Sequence, residues 1–493
     1  IEGRQSLEGT DASPQAFLTG CIAFGASDVT RFRGLRVSTT PAAAAKVSQE
    51  QEREDKTLGG LRTRHPRAVL WKKIRTPRFG TDRNLRVGDI NGDGKPELVL
   101  ARRTHRLGGD DHASITSLAA YTLDGELLWT YGEPGNYTLH TTSDLCFQVH
   151  DWDGDGKAEV YFCRDFELCV AAGETGQVRR LLTLPQPIQR KAWPRSLYRI
   201  LGDSLFFCDL TGSGRADSIL IKDRYWNLWA YDRALTPLWQ FSGNLGHFPF
   251  CGDFDGDGKD EVAIGYHLLD HDGACQWSVN YKEHADNIAI VNVRDGASKQ
   301  LVPRVVIAGS DAGFILLDLD GTQRVHYPMG HCQSLCIANL LPERDGLEIM
   351  ADTFWGPAGI TATFDADGNR LHEFEPMPYA CLLQPVNWVP LAAGSKPADL
   401  VLLSTHPRQG GLIDGAGRRA VLFPDDGHPV LCSDARDLDG DGLDEVLTWN
   451  EEEIWIYKAA AVAGRERGNY PQRNPWYNDS NYRAQISIPV ERS

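Results

Sequence analysis

The nine residues Asp151-Trp152-Asp153-Gly154-Asp155-Gly156-Lys157-Ala158-Glu159 decide the fold, because the same pattern returns along the chain. Three further copies keep acidic or amide side chains at positions one, three, five and nine, and they begin at Asp89, Asp253 and Asp437. A fifth, degenerate copy begins at Asp209. Each copy joins two apolar runs, and a third apolar run and a short strand complete the unit. Four short strands repeated in this way are typical of β-propeller blades.

The spacing of these loops sets the number of blades. Successive loops begin 62, 58 and 44 residues apart, and the last interval is 184 residues. An interval of that length leaves room for three blades without the acidic pattern, starting near Ile288, Leu335 and Leu382. The chain is therefore predicted to be an all-β protein, a single propeller of eight blades, with seven as the alternative count.

One strand is missing from the last unit, which ends at Ile454–Tyr457. The run Ala68–Ile74 is predicted to supply it and to close the ring, because an unpaired edge strand is open to aggregation. Trp71, within this run, is expected to be buried in the last blade. Closure by an N-terminal strand would remove the exposed edge of the incomplete last blade.

The domain boundaries follow from this closure. We expect the propeller to span 67–460, residues 1–66 to be a polar, irregular lead-in, and 461–493 to be a tail packed on the propeller. Ile1–Arg4 read Ile-Glu-Gly-Arg, which resembles a protease-site scar, so a signal peptide is presumed to have been removed. A secreted or periplasmic location is therefore expected.

Composition and charge exclude several classes of partner. The formal net charge of −16 disfavours a nucleic-acid partner. No run of eighteen apolar residues occurs, so we expect no membrane span. The eleven cysteines are mostly spread singly along apolar strands, which indicates buried thiols rather than a disulfide framework. We expect a monomer.

The four complete acidic loops are predicted to bind calcium. Calcium accepts six to eight oxygen ligands in flexible geometry, and glycines at positions four and six let the loop wrap tightly around the ion. Each loop joins two strands of one blade, so the ions are expected to be structural. A fifth loop, Asp209–Asp217, carries too little charge and is predicted to be metal-free. The predicted ligands are Asp89, Asn91, Asp93, Glu97, Asp151, Asp153, Asp155, Glu159, Asp253, Asp255, Asp257, Glu261, Asp437, Asp439, Asp441 and Glu445.

The opposite face of the propeller is predicted to be the functional one. It is formed by the loops leading into each first strand and by those between second and third strands. Nine of the fourteen histidines fall in these loops, together with Arg and aromatic residues. The first set of loops carries His140, His247, His284, His331, Tyr379 and His428. The second set includes His105, Arg164, Arg224, Tyr225, Asn227, Tyr266, Trp355, His406 and Arg408.

Such a lining suits an anionic sugar polymer. Arg pairs with carboxylates through two hydrogen bonds, and His and Tyr can move protons. The sequence contains no Gly-rich phosphate loop, no nucleophile elbow and no His-Glu-x-x-His motif. Two alternatives stay open at this point. One is a calcium-dependent carbohydrate-binding or adhesion propeller, and the other is a glycoside hydrolase using carboxylates such as Asp165, Asp223 and Asp286.

Five stretches carry a resemblance to known enzymes: Lys222–Asn227, Gly246–Pro249, Asp253–Glu261, Gly330-His331 and Tyr477–Tyr482. On these stretches the chain resembles the β-propeller polysaccharide lyases, namely the ulvan lyases and the rhamnogalacturonan lyases. Ulvan lyases have seven blades and rhamnogalacturonan lyases eight, and the repeat spacing here favours eight. The acidic loops also resemble those of integrin-type propeller repeats, which implies a fold rather than a function.

The resemblance implies cleavage of a rhamnose-rich, uronate-containing polysaccharide by β-elimination. In that reaction the carboxylate is neutralised, a His or Tyr removes the C5 proton, and an acid protonates the leaving oxygen. By loop position, Arg224 would pair with the carboxylate. His140 or His247 would be the base, and Tyr225 or Tyr266 the acid or second base. Substrate contacts would come from Arg164, His105, Asn227, His331, Trp355, His406 and Arg408.

Overall fold

The structure is a computed structural model that describes ten segments of the chain. These are residues 40–79, 85–103, 114–134, 145–191, 196–355, 359–376, 383–388, 398–461, 470–473 and 483–490. Two compact units are present, Ile1–Thr63 and Arg64–Ser493.

The first unit contains helix α1 (Pro41–Arg62), so these residues of the predicted irregular lead-in are helical. The sequence favours this helix locally. Pro41 occupies the first helical position, where its missing N–H costs nothing, and four alanines follow it. The expectation of irregular structure was wrong here because it gave weight to polarity and charge rather than to helix propensity. No helix among the described residues is long and apolar enough to cross a membrane.

The second unit is an eight-bladed β-propeller, as predicted. Each blade contains a four-stranded antiparallel sheet, which follows the order of the chain in seven blades and takes its outer strand from the N-terminal side in the eighth. One blade is extended by two further strands. The closing strand is β1 (Ala68–Arg75). Blades one to four contain β2 (Leu85–Gly88), β3 (Glu97–Arg103), β4 (Ile115–Tyr121), β5 (Leu127–Gly132), β6 (Phe147–His150), β7 (Glu159–Arg164), β8 (Glu167–Ala171), β9 (Val178–Thr183), β10 (Ser204–Cys208), β11 (Ser218–Lys222), β12 (Asn227–Tyr231), β13 (Pro237–Ser242), β14 (Phe250–Gly252), β15 (Glu261–Ile264), β16 (His267–Leu269) and β17 (Cys275–Ser278).

The remaining strands form blades five to eight and the C-terminal segment. They are β18 (Asn287–Arg294), β19 (Leu301–Ala308), β20 (Phe314–Asp318), β21 (Gln323–Tyr327), β22 (Cys332–Ala338), β23 (Glu348–Thr353), β24 (Thr361–Phe364), β25 (Arg370–Phe374), β26 (Gln384–Val386), β27 (Leu400–Ser404), β28 (Gly411–Ile413), β29 (Arg419–Val421), β30 (Cys432–Arg436), β31 (Glu445–Trp449), β32 (Glu453–Ala459), β33 (Gln472–Arg473) and β34 (Gln485–Ile488). The three blades predicted without complete acidic loops begin with β18, β22 and β26.

Burial falls from the inner to the outer strands of the blades. The first strand β10 is buried along its whole length, whereas the fourth strand β13 is largely exposed. Tryptophans on the fourth strands tie neighbouring blades together. The indole Nε1 atoms of Trp129, Trp239 and Trp277 donate to the backbone carbonyls of Gly173, His271 and Leu319, each in the next blade. This shared role explains the Trp that ends several repeat units.

Strand β1 closes the ring as predicted, by pairing antiparallel with β32 from Ala68–Ala459 to Arg75–Glu453. The prediction that Trp71 is buried was wrong. Trp71 is half-buried, with the Lys72 and Lys458 ammonium groups 4.7 and 4.4 Å from its ring centroid. The residue that anchors the strand is Ile74, which is 1% exposed, because a fourth strand turns only part of one face to the core.

The C-terminal segment adds strands to the sixth blade. Strand β34 lies parallel to the first strand β22, with Cys336 opposite Gln485, and it pairs antiparallel with β33. A buried ion network holds this segment, since the Arg473 guanidinium lies 2.6 Å from Asp444 and 3.4 Å from Asp399. The segment therefore contacts the inner part of the ring.

Closure by β1 predicts a clear difference between two small substitutions. Replacing Ile74 with Ala should lower the free energy of unfolding by about 2–5 kcal/mol, because it opens a cavity against the first blade. Replacing Val69, which is exposed on the same strand, with Ala should change the free energy of unfolding by less than about 0.5 kcal/mol. Urea unfolding of both variants measures these values. Equal losses for the two variants would contradict the closure.

Candidate active site

Loops of blades three to six meet on the predicted functional face. Gly246, which has a φ of +58°, lets the loop before β14 pack directly against the loop before β18. A Cβ at this position would lie 2.1 Å from the Ala285 carbonyl oxygen, so only glycine fits. This contact brings His247 beside the loop that carries His284 and Asp286.

At the base of the site, Asp203 binds two basic side chains. The Arg224 Nη1 atom lies 2.9 Å and the Lys222 Nζ atom 3.5 Å from its carboxylate. All three side chains are buried. Burial opposes ionisation of Asp203, but the charges of Arg224 and Lys222 hold its pKa well below its usual range. This group is therefore a fixed ion cluster beneath the site.

Two imidazoles lie on either side of one oxygen of Asp286. The Nε2 atoms of His247 and His284 are 3.5 and 3.6 Å from Oδ1 of Asp286. Burial lowers the pKa of His247 to about 4. Burial also disfavours the charged form of His284, but the Asp286 charge outweighs it and raises the pKa of His284 to about 9. The Tyr225 ring stacks on His284 at 4.3 Å and fixes its plane.

Asp286 is the most heavily bonded side chain of the site. Ser310 donates its hydroxyl to one carboxylate oxygen, and Gln333 donates its amide to the other at 2.7 Å. Burial alone would raise the pKa of Asp286, but His284 and His331 hold it well below its usual range. The carboxylate therefore stays ionised at the centre of the cluster.

His331 is the least buried imidazole of the cluster, with 13% of its side chain exposed. Its Nε2 lies 3.3 Å from Asp286, and its Nδ1 lies 2.8 Å from Asp311, which is well exposed. Burial alone would lower the pKa of His331, but hydrogen bonding to Asp286 and the Asp286 charge raise it above its usual value. An imidazole held between two carboxylates can carry a proton to or from a bound molecule.

The same cluster has the composition of a metal site. One ligand atom from each of His247, His284 and Asp286 lies within 4.8 Å of the others. Two imidazoles and a carboxylate suit a divalent transition metal better than calcium, which prefers an all-oxygen shell. The three residues therefore fit a divalent cation, and the hydrogen bonds from Ser310 and Gln333 orient the carboxylate as outer partners commonly do.

Of the residues predicted for the site, the structure brings His247, Arg224, Tyr225 and His331 together. Arg224 does not face the solvent as expected, since it is 1% exposed and bonded to Asp203. A sequence-based argument could place its loop but not its partner 21 residues upstream. Tyr266 is also fully buried, and its hydroxyl donates to the Gly309 carbonyl at 3.1 Å.

The other predicted substrate contacts lie apart from the cluster. Arg164 donates to the Thr116 carbonyl, and Asn227 is buried and bonded to Asp223 and Gln189. Trp355 is exposed, on the loop after β23. The remaining predictions are His406, whose Nδ1 accepts backbone N–H bonds from its own turn, Arg408, which is exposed near Asp425, and His105 and His140, which lie outside the described residues.

The acidic loops share one wrapped geometry on the opposite face. In the second blade, the N–H groups of Gly154 and Gly156 donate to the two oxygens of Asp151, and both glycines have positive φ. Three loops each bring three carboxylates to within 4.8 Å of one another. These sets are Asp151, Asp153 and Asp155, then Asp253, Asp255 and Glu261, then Asp437, Asp439 and Glu445.

The electrostatics of these loops favour a cation. Burial raises the pKa of Glu97 to about 7 and that of Glu445 to about 8, and the neighbouring aspartates add to both shifts. In the last blade an ammonium group already contacts the loop, because Lys458 binds Asp439 and lies 3.5 Å from Glu445. The loops are therefore acidic cradles in which carboxylates repel one another.

Comparison with known proteins gives partial sequence matches and a shared fold. No protein-family model matches the chain. The rhamnogalacturonan exolyase YesX of Bacillus subtilis is 28% identical over 247 residues, covering 39% of this chain and 39% of the relative. The rhamnogalacturonan endolyase YesW of the same organism is 26% identical over 242 residues, covering 39% and 38%. The chain thus matches about two fifths of the length of these curated relatives.

Solved structures share the propeller. The rhamnogalacturonan lyase YesW superposes with a TM-score of 0.60 at 19% identity, covering 86% of this chain and 80% of that one. The Vibrio cholerae biofilm matrix protein Bap1 gives 0.54 at 14% identity, covering 86% and 100%. At these identities the likeness establishes the fold alone.

Sequence reasoning overlooked the acidic half of the cluster. Asp203 was not singled out, Asp286 was considered only for hydrolysis, and His284 was noted only by its loop position. A usable signal was present, because Asp203 and Asp286 stand at equivalent places, each just before the first strand of its blade.

The buried ion cluster predicts a strong dependence on Asp203. Replacing Asp203 with Asn should lower the free energy of unfolding by about 3–5 kcal/mol, because it leaves Arg224 and Lys222 buried without their counter-charge. The matched change Asp165→Asn removes an exposed partner of Arg164 and should cost less than about 1 kcal/mol. Chemical unfolding distinguishes the two, and a mild effect of Asp203→Asn would rule out the fixed cluster.

Proposed function

We propose that this protein is a polysaccharide lyase that cleaves a rhamnose-rich, uronate-containing polysaccharide by β-elimination. The observation that carries this proposal is the set His247, His284 and Asp286, which can hold a cation, beside His331, the least buried imidazole of the cluster. The names of the partial relatives, both rhamnogalacturonan lyases, support the same reaction class. A polymer of this kind would be met outside the cell, in keeping with the expected secreted or periplasmic location.

The reaction makes two demands on the site. Loss of the C5 proton places negative charge on the uronate carboxylate, and the leaving oxygen needs a proton. A divalent cation held by His247, His284 and Asp286 would supply positive charge at that carboxylate. The residues of the chain then have to position the sugar and move the protons.

His331 is the residue we assign to proton transfer. Asp286 orients the ring through Nε2, and Nδ1 can give its proton to the leaving oxygen once the substrate displaces the exposed Asp311. His140, which lies between β5 and β6 in the sequence, stays our candidate for the base. Tyr266 is a poor candidate, since burial raises its pKa and its hydroxyl is already bonded.

Arg224 receives a different role from the one its loop position suggested. Because its guanidinium is buried against Asp203, it cannot bind a polymer carboxylate without giving up that pair. Asp203 also lies 3.6 Å from Nδ1 of His247. We therefore assign Arg224 to positioning, acting through Asp203 on the imidazole.

Hydrolysis is less well supported than elimination. A glycoside hydrolase needs one protonated carboxyl group beside an ionised one. The pKa values of Asp203 and Asp286 are both held low by neighbouring cationic groups, after burial is overcome, so neither can act as the acid. A binding propeller without catalysis remains the competing function, and a product assay separates it from a lyase.

Calcium in the acidic loops is the second part of this proposal. The loops with three gathered carboxylates offer oxygen ligands only, which suits calcium, and their place between first and second strands suits a structural role.

Calcium removal should therefore destabilise the propeller. A ligand that binds only the folded state raises stability by mass action, so excess chelator should lower the melting temperature and added calcium should restore it. Asp153→Ala should reduce the calcium content measured by elemental analysis. Ser213→Ala, in the degenerate loop of the third blade, should leave it unchanged. A melting curve insensitive to chelator and calcium would reject the proposal.

The lyase assignment predicts an unsaturated product. Incubation with rhamnogalacturonan, ulvan and rhamnose-glucuronate gums should give ultraviolet absorbance from unsaturated uronate on at least one polymer. His331→Gln should reduce the turnover of that polymer by about 10²–10⁴-fold, the usual contribution of a positioned proton-transfer group. His326→Gln, an exposed histidine on the outer strand β21, is the matched control and should keep full activity. Absence of any unsaturated product would favour the binding propeller, and full activity of His331→Gln would overturn the residue assignment.

A further inference from the structure

A basic stretch interrupts this acidic chain just before the third blade. Residues 175–202 contain six Arg or Lys and no Asp or Glu, whereas the whole chain has a formal net charge of −16. Most of this stretch connects β9 to β10, so it leads into a first strand and belongs to the face of the candidate active site. We call residues 184–191 and 196–199 of this connection the basic platform.

The platform has a defined shape because it is bonded to blade three. The Gln189 N–H donates to Oδ1 of Asn227 at 2.7 Å, and the Asn227 amide donates back to the Gln189 carbonyl at 3.0 Å. The Lys191 N–H donates to Ser196, and its ammonium lies 4.6 Å from the Trp226 ring centroid. Asn227, predicted to bind substrate, instead holds this connection in place.

An aromatic ring stands exposed on the platform. Tyr198 is 57% exposed, although its ring contacts Phe166 edge-on at 5.8 Å. The Arg199 Nε atom donates to the Tyr198 hydroxyl at 2.7 Å, and Arg199 also donates to the Leu184 carbonyl. Arg190 is exposed nearby, so a fixed aromatic face lies among cationic groups. This combination suits a sugar ring that carries a carboxylate.

The platform is continuous with the candidate active site. Trp226, beneath Lys191, is the neighbour in sequence of Tyr225, whose ring stacks on His284 at 4.3 Å. The side chains of the cluster are largely buried, so only a short part of a polymer can contact them. Units of the polymer further along the chain must therefore lie on the surface beside it, and this surface carries positive charge.

We propose that the basic platform is a binding subsite for the uronate units of the polymer that lie beyond the point of cleavage. Arg190 and Lys191 attract the carboxylates, and Tyr198 stacks on a sugar face. The proposal rests on the proposed function for the identity of the polymer, but binding at the platform requires no cleavage. Arg190, Lys191 and Tyr198 therefore extend the length of polymer that the protein recognises.

The test is binding measured apart from cleavage, using the full chain and affinity electrophoresis in gels containing polygalacturonate, sulfated dextran or neutral dextran. The double variant R190E/K191E should bind polygalacturonate about tenfold more weakly than the parent at low salt. This difference should vanish near 1 M salt, where charges are screened within about 3 Å. Tyr198→Ala should also weaken binding, with less dependence on salt.

The matched control is R179E/R180E, which makes the same change of charge in the same basic stretch. Arg179 and Arg180 are exposed on β9, in register with Val170 and Cys169 and away from the platform end of that strand. This control should keep the parent affinity. If both double variants weaken polygalacturonate binding equally, the effect comes from net charge alone and the subsite is overturned.

Three other outcomes are informative. Parent protein that is not retarded by polygalacturonate overturns the subsite, and so does retardation by sulfated dextran alone. If R190E/K191E loses binding but the parent forms no unsaturated product, the subsite stands and the proposed lyase activity fails. If cleavage is found, R190E/K191E should raise KM for the polymer about tenfold and leave kcat on a short oligosaccharide unchanged.

Discussion

Closure of the ring by β1 and β32 is the constraint on which the rest of the structure depends. A single four-stranded blade exposes two apolar faces, and each is covered only by the blades on either side. Seven aligned residue pairs between β1 and β32 complete the eighth blade from the two ends of the propeller sequence. Once the ring is closed, the first strands are fixed around one axis, and the loops that lead into them must meet.

That meeting of loops explains why the candidate site is rich in buried charge. Asp203 and Asp286 each precede a first strand, so closure carries both carboxylates into the interior. A buried carboxylate is costly unless a cation pairs with it. Arg224 and Lys222 serve Asp203, whereas His284 and His331 serve Asp286. The two compensations differ in kind, because arginine and lysine keep their charge, whereas an imidazolium can lose its proton to a substrate or lose it and bind a metal.

Much of the fold followed from sequence because the repeat is carried by local patterns. The spacing of the acidic loops gave the number of blades. The closing strand that contains Ile74 was found because the last repeat unit lacked its fourth strand. The site was less predictable, since burial depends on which loops meet. Arg224 was correctly placed on a loop, but its partner Asp203 comes from the loop leading into the same blade. Trp71 was expected to be buried because it lies on the closing strand, whereas its depth depends on which side of β1 faces the first blade.

The acidic loops show how one sequence pattern holds two separable functions. In the degenerate loop, Asp209 accepts N–H bonds from Gly212 and Gly214 at 2.8 and 2.6 Å, as Asp151 does in its own loop. The turn therefore forms without the full set of acidic groups, and the first aspartate accepts the bonds that shape it. Positions three, five and nine accept further backbone N–H bonds in the complete loops, and their charges distinguish an acidic cradle from a simple turn. A cation site in such a repeat is best predicted from these later positions, because the degenerate loop keeps the first aspartate without them.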